Sequence, residues 1–132
     1  MANSLYTAGR TLMLTGFDWA AADIDAYLVD AGYTFSESHA NMVSVGAGTR
    51  VAGPIALSGK AVVSGAADAT DTTFPSVSGD TASAIILCKH TGADATDELI
   101  AYLNSATGLP ITPNGGDIIV VWDSGVNRIF RP

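Results

Sequence analysis

Two histidines and a single cysteine are the first residues of this chain to test for catalysis or metal binding: His39, His90 and Cys88. Imidazole and thiolate groups carry protons, act as nucleophiles and bind zinc. A zinc site would show a Cys-x-x-Cys or His-x-x-x-His spacing, which these residues lack. Cys88 ends the apolar run of residues 84–88, which predicts a buried, inert thiol. His90 is predicted to donate a hydrogen bond where that strand ends.

Acidic side chains could supply oxygen ligands for calcium, but their order does not fit a calcium loop. An EF-hand loop reads Asp-x-Asp-x-Asp-Gly and ends in a glutamate. No stretch of the chain has this order, so the acidic residues are predicted to accept backbone N–H groups in turns. The aspartates concerned are Asp18, Asp23, Asp25, Asp68 and Asp71.

Other catalytic motifs are missing as well. Gly59-Lys60 lacks the upstream glycine of a phosphate-binding loop, and residues 44–48 do not form a Gly-x-Ser-x-Gly nucleophile turn. Glu37 and Glu98 give no warrant for the paired carboxylates of a glycoside hydrolase. The sequence therefore predicts no catalytic, cofactor-binding or metal-binding residues, and a protein that is not an enzyme.

The composition indicates a surface that a protein partner covers. The 132 residues fit one domain, since a chain of about this length buries roughly 65–70% of its extended surface. Charged residues make up 14% and hydrophobic residues 48%, whereas the usual charged share is about 25%. An oligomer is therefore favoured. A monomer surfaced by Ser, Thr, Asn and Gly is the alternative.

The charge and the chain's hydropathy exclude two classes of partner. The net charge is −7, from 13 acidic and 6 basic residues, which argues against binding to the nucleic-acid backbone. No apolar run approaches the 18 residues or so of a membrane span, and residues 1–4 do not begin a secretory signal. We expect a protein made in a cytoplasm that leaves it only within a larger particle.

The stretch of residues 116–123 is predicted to be the strand around which the fold is built. Its apolar residues are mostly β-branched and stand between two glycine-containing turns. Alternation divides them between two faces: Ile118, Val120 and Trp122 on one, Ile119 and Val121 on the other. Because both faces are apolar, the strand is predicted to lie inside a sandwich, or to have one face in a core and the other against a partner.

The N-terminal half is predicted to contain one helix, one strand and one long excursion. The helix covers residues 3–14, with Asn3 or Ser4 as its N-cap and Gly16 as its stop, and Gly9 weakens it. The aromatics of the irregular link 17–22 are expected to plug an end of the core. Residues 23–30 alternate as a strand with one drier and one wetter face. The excursion, residues 33–45, is expected to contain one helical turn.

The C-terminal half is predicted to be a series of short strands separated by turns. Pro54 predicts that the strand 49–56 is an edge strand or contains a bulge, and Pro75 predicts the same for the strand 72–77. The run 82–90 has no proline and is placed in the centre of a sheet. Residues 97–104 fit a helix or a strand, and their setting favours a strand. The strands lie at residues 49–56, 60–64, 72–77, 82–90, 97–104, 116–123 and 126–130, the last pairing back as a hairpin after the turn-rich loop 105–116.

Seven or eight short strands and one small helix predict an all-β fold, an antiparallel two-sheet sandwich of jelly-roll type. An immunoglobulin-like sandwich is the alternative, but the cysteine pair around a core tryptophan is missing. The predicted organisation is an N-terminal helical segment, residues 1–16, and a single β-sandwich domain, residues 17–132.

A series of turn and strand signatures resembles the small virion structural proteins of tailed bacteriophages. They cover most of the chain after residue 23: Ala-Gly-Pro-Ile-Ala-Leu-Ser-Gly-Lys at 52–60, Phe74 with Val-Ser-Gly-Asp at 77–80, Lys-His-Thr-Gly at 89–92, Leu-Ile-Ala-Tyr at 99–102, Ser-Ala-Thr-Gly-Leu-Pro at 105–110, Pro-Asn-Gly-Gly-Asp at 113–117 and Trp-Asp-Ser-Gly at 122–125.

The resemblance implies a non-enzymatic capsid cement or decoration protein on the exterior of the virion capsid. Such a protein binds the major capsid protein over the junctions between subunits and forms a dimer or trimer with itself. The expected contact elements are a mobile N-terminal segment, the excursion 33–45 and the loop 105–116. Two alternatives stay open: a tail or head-tail connector component, and a carbohydrate-binding jelly-roll module.

Overall fold

Antiparallel β-strands make up most of the fold, with one short helix. The computed structural model describes residues 4–104, 109–122 and 129–130. The elements are β1 (Ser4–Leu5), α1 (Thr7–Leu14), β2 (Ile24–Val29), β3 (Arg50–Ala56), β4 (Ala61–Val63), β5 (Ala66–Asp68), β6 (Thr72–Phe74), β7 (Ala84–Lys89), β8 (Glu98–Leu103) and β9 (Ile118–Val120), with 3₁₀ turns at Met42–Ser44 and Ala47–Thr49. The predicted all-β antiparallel class with one helix is confirmed.

Five of these strands form the main sheet, in the order β1-β8-β7-β2-β3, and two-stranded ribbons pair β4 with β5 and β6 with β9. Every pairing is antiparallel. The central position predicted for residues 82–90 is confirmed, since β7 is the middle strand. The strand predicted for residues 97–104 is also confirmed as β8.

The main sheet is buried on both faces. One face packs against the two ribbons through a core that includes Leu28, Leu87, Phe74 and Trp122. The other face forms a second core with Tyr6 and with residues of the excursion 33–45. The wetter face predicted for residues 23–30 was therefore wrong: all six residues of β2 are buried, because the excursion covers the side that carries its polar residues.

Helix α1 begins later than the sequence predicted. Ser4 belongs to β1, where it pairs with Tyr102 of β8, and Tyr6 occupies the N-cap position without a side-chain cap. The other predicted cap, Asn3, lies outside the described residues. Gly16, with φ of 104°, follows the helix as its predicted stop. The excursion contains its predicted turn as the 3₁₀ turn Met42–Ser44.

Two features of the ribbons differ from the pattern read in the sequence. Residues 65–71 were predicted to be a turn, yet residues 66–68 form β5, because Ser64 and Gly65 both have positive φ and close a two-residue hairpin. Of the predicted closing strand, residues 126–128 lie outside the described residues. Phe130 pairs with Ala67 of β5.

Edge strand β3 carries the predicted irregularity. Its pairing with β2 shifts register twice, between Ala26 and Leu28 and again before Val29. Pro54 lies in this strand and has no N–H to donate to a neighbour. Pro75 directly follows the short strand β6. The edge or bulge predicted at Pro54 is confirmed.

Candidate interaction surface

Strand β9 presents apolar residues on both faces, and one face is open to solvent. Ile118, Val120 and Trp122 are buried in the first core, where the Trp122 indole N–H donates to the Thr72 hydroxyl at 3.2 Å. On the opposite face Ile119 is 61% exposed and Val121 59%. The predicted alternation is confirmed, but the prediction that this strand is the one around which the fold is built was wrong, because β9 is three residues long and belongs to a two-stranded ribbon. We call Ile119 and Val121 the outer face of β9.

A second apolar area surrounds a cleft at the end of α1. The cleft has a volume of about 270 Å³, and Met13, Phe17, Trp19 and Val62 are among its lining residues. Leu14, the last residue of α1, is 88% exposed. The predicted plug is confirmed for Trp19, which is buried, meets Phe130 edge to face at 5.3 Å and donates its indole N–H to the Asp68 carbonyl at 3.0 Å.

Two of the segments predicted as contact elements are anchored to the main sheet by buried residues. In the N-terminal segment Tyr6 is fully buried and its N–H donates to the Ile100 carbonyl at 3.0 Å. In the excursion Met42 and Val45 are fully buried, whereas Val43 is exposed. Residues 105–108 of the third segment lie outside the described residues.

Arg50 holds the excursion against the sheet. One guanidinium nitrogen, Nη2, donates to the Met42 and Val45 carbonyls at 2.8 Å each and pairs with Asp94 at 3.0 Å. The guanidinium also lies 5.2 Å from the centre of the Tyr27 ring. The sequence offered no signal for this role, since Arg50 lies at the start of a strand and its acceptors are backbone atoms.

His39 ends a chain of hydrogen bonds inside the second core. Its Nδ1 lies 2.8 Å from the Tyr33 hydroxyl, which shares a 2.7 Å hydrogen bond with the Tyr6 hydroxyl. Burial raises the pKa of Tyr6 far above its ordinary value, so that phenol stays neutral. Tyr33 joins the excursion to Tyr6 of the N-terminal segment, and His39 holds the Tyr33 hydroxyl in place. The geometry therefore gives His39 a structural role.

The rings of the second core contact one another rather than form an open platform. Tyr33 and Tyr102 have centroids 5.9 Å apart, and Phe35 lies 5.0 Å from Tyr102 at an angle of 30°. Tyr33 is buried, and Phe35 and Tyr102 are half-buried. Each of these rings is therefore covered in part by a neighbouring ring.

His90 and Cys88 lie next to a buried carboxylate. His90 Nδ1 is 2.8 Å from Asp25 Oδ2, in agreement with the hydrogen bond predicted for this histidine. Asp25 is the direct cross-strand partner of Cys88, and both residues are buried. Burial raises the pKa of the Cys88 thiol far above its ordinary value, which favours the protonated thiol. The predicted burial of Cys88 is confirmed.

Two of the predicted turn aspartates accept backbone N–H groups. Asp18 accepts from Ala20 at 3.1 Å and from Ala21 at 3.3 Å, and Asp68 accepts from Ala69 at 2.9 Å. Within the described part of the chain, no group of three His, Cys, Asp or Glu residues could hold a metal ion.

Sequence reasoning missed a buried carboxylate that fixes a loop. Asp97 Oδ1 accepts the Thr91 N–H and the Thr91 hydroxyl, each at 2.7 Å. Asp97 is buried and lies near enough to Asp25 to raise the pKa of that carboxyl further. In the sequence Asp97 resembles any other acidic residue between a turn and a strand.

Asp25→Asn should become more stable relative to the wild type as the pH rises. Burial raises the pKa of the Asp25 carboxyl, and His90 opposes this only in part. A carboxyl whose pKa is higher in the folded than in the unfolded state stabilises the fold at acid pH, and that contribution is lost as the pH rises through the folded pKa. The wild-type free energy of unfolding minus that of Asp25→Asn should therefore fall above pH 3.8, the ordinary value for aspartate. Urea unfolding over a pH series measures it.

His90→Gln provides the second arm of this experiment. His90 lowers the pKa of Asp25, so its loss should raise that pKa further and extend the fall in stability to higher pH. If the difference in free energy of unfolding between wild type and Asp25→Asn stayed constant with pH, that would contradict the raised pKa assigned to Asp25.

No protein-family model matches the chain, and no curated protein matches it either. The part of the chain that the structure describes contains no helix long and apolar enough to cross a membrane. The described residues form a small antiparallel β-protein that exposes apolar side chains on the outer face of β9 and beside the cleft at the end of α1.

Proposed function

We propose that this chain is a non-enzymatic structural protein of a tailed-bacteriophage virion, a cement or decoration protein of the capsid exterior. It binds over the junctions of major capsid subunits, as a dimer or trimer, and stabilises the shell. The proposal starts from the sequence resemblance. The observation that carries it is the outer face of β9, where Ile119 and Val121 remain exposed although their neighbours on the strand are buried.

Burial of the outer face of β9 against the shell would supply binding energy. Fully burying an aliphatic side chain of this size contributes about 1.5–3 kcal/mol. A subunit that contacts two neighbours at once adds such modest contributions, because the second contact is made at high effective concentration. The low share of charged residues, 14%, fits a surface that is covered in an assembly.

The jelly-roll sandwich is part of the same proposal. Support for it comes from the first core, which lies between the five-stranded sheet and the ribbons β4-β5 and β6-β9. Such a two-layer arrangement needs no disulfide, which suits a chain with a single, buried cysteine.

The double variant Ile119→Lys, Val121→Lys tests the shell contact. Two ammonium groups on the outer face of β9 would have to be desolvated for binding, so occupancy on shells should fall at least about tenfold. Both residues are exposed, so the fold should persist, which circular dichroism checks. Binding is measured by co-sedimentation with isolated shells of the phage that encodes the chain and by electron microscopy of the particles.

Val43→Lys is the matched control, because Val43 is equally exposed but lies on the excursion. Its occupancy should clearly exceed that of the double variant, because the proposed contact lies on the outer face of β9. Undiminished occupancy of the double variant, or a wild-type protein that never binds shells, would count against a capsid role. Fractionated particles that carry the protein in the tail instead would favour the connector or tail alternative.

A further inference from the structure

The cleft at the end of α1 lies beside a projecting apolar side chain. Met13 and Phe17 line the cleft, and Leu14, which stands between them in sequence, is 88% exposed. The cleft volume of about 270 Å³ can accept an apolar side chain, since one water molecule of the liquid takes about 30 Å³. A projection and a cavity of matching character therefore occupy the same small area.

A negative charge lines this cleft, and a positive charge stands next to one of its lining strands along the chain. Asp18 is the charged residue among those that line it, and two backbone N–H groups hold its Oδ1 in place. Lys60 directly precedes strand β4, in which Val62 lines the cleft. Lys60 forms no salt bridge with any residue that the structure describes.

We propose that two copies of this chain associate through this surface about a two-fold axis, with Leu14 of each copy in the cleft of the other. In a two-fold contact both partners use the same surface patch. Leu14 of the first copy can therefore enter the cleft of the second while Leu14 of the second enters the cleft of the first. The symmetry also brings Asp18 of one copy towards Lys60 of the other, which makes the contact attractive. The inference rests on the self-association in the proposed function, and it assigns that contact to a surface other than the outer face of β9.

Leu14→Asp is the direct test, measured by sedimentation equilibrium of the full chain over a range of concentrations. The wild type should form dimers. The variant should raise the dimer dissociation constant at least about tenfold, because it would place a carboxylate in an apolar cleft. Leu14 is so exposed that the substitution should leave the fold unchanged, and circular dichroism verifies this. Val43→Asp is the control and should leave the dissociation constant unchanged, since Val43 lies on the excursion, on the opposite face of the main sheet.

Lys60→Glu tests the charged rim independently. The variant should weaken the dimer, and salt should weaken the wild-type dimer more than it weakens the variant. A wild type that is monomeric at every concentration would overturn the inference. So would a Leu14→Asp dimer as strong as the wild-type dimer, or a Val43→Asp dimer weakened equally. An intact dimer that fails to bind shells supports this surface and contradicts only the capsid role.

Discussion

Gly9→Ala should lower the free energy of unfolding by about 2 kcal/mol, a fall in Tm of roughly 8 °C for a chain of this size. A Cβ added at Gly9 would lie 2.5 Å from the Ile100 carbonyl oxygen and 2.8 Å from the Ile100 Cα. Both atoms belong to the backbone of β8, which cannot move aside as a side chain would. Helix α1 would have to shift off the sheet, and this cost exceeds the gain of about 1 kcal/mol in helix propensity.

Gly48→Ala is the matched control for this prediction. Gly48 lies in the 3₁₀ turn Ala47–Thr49, and an added Cβ meets nothing within 4 Å. Its stability should stay within about 0.5 kcal/mol of the wild type. Urea unfolding of both variants measures the difference. Equal stabilities for Gly9→Ala and Gly48→Ala would show that α1 is not seated on β8 as described.

Arg50→Met should cost about 3 kcal/mol of stability. Methionine keeps most of the apolar stem but removes the hydrogen bonds to the Met42 and Val45 carbonyls and the ion pair with Asp94. Hydrogen bonds from a charged donor each contribute about 1.5–3 kcal/mol. Arg50→Lys should recover only part of the loss, because a single ammonium cannot reproduce the planar fork of the guanidinium.

Arg10→Met is the control for the arginine prediction. Arg10 forms an ion pair with Glu37 at 3.4 Å, but both side chains are at least half exposed. Exposed ion pairs contribute little, so this variant should change stability by no more than about 0.5 kcal/mol. Chemical denaturation of the two methionine variants under identical conditions makes the comparison. Equal losses would mean that Arg50 does not hold the excursion against the sheet.

Sequence patterns predicted those elements whose character is local. The alternation of β9 and the central position of β7 follow from unbroken apolar runs, and Cys88 is buried because it lies in one of them. Pro54 marked an edge strand because a residue without an N–H fits poorly between two strands.

Features that depend on distant contacts could not be read from the sequence. Asp25 was placed on a wetter face, because alternation does not reveal that the excursion folds back over it. Gly9 was read as a weakness of α1, whereas the space it leaves is what lets the helix approach Ile100. Arg50 holds the excursion through hydrogen bonds to the backbone carbonyls of Met42 and Val45. Every residue type has such a carbonyl, so the sequence does not reveal these partners.

The two edge strands of the main sheet, β1 and β3, limit how this chain can polymerise. At the β3 edge, Pro54 and the two register shifts interrupt the row of donors and acceptors that another strand would need. At the other edge, the part of β1 that the structure describes is two residues long. Growth into filaments by strand addition at these two edges is therefore disfavoured even when many copies are crowded together.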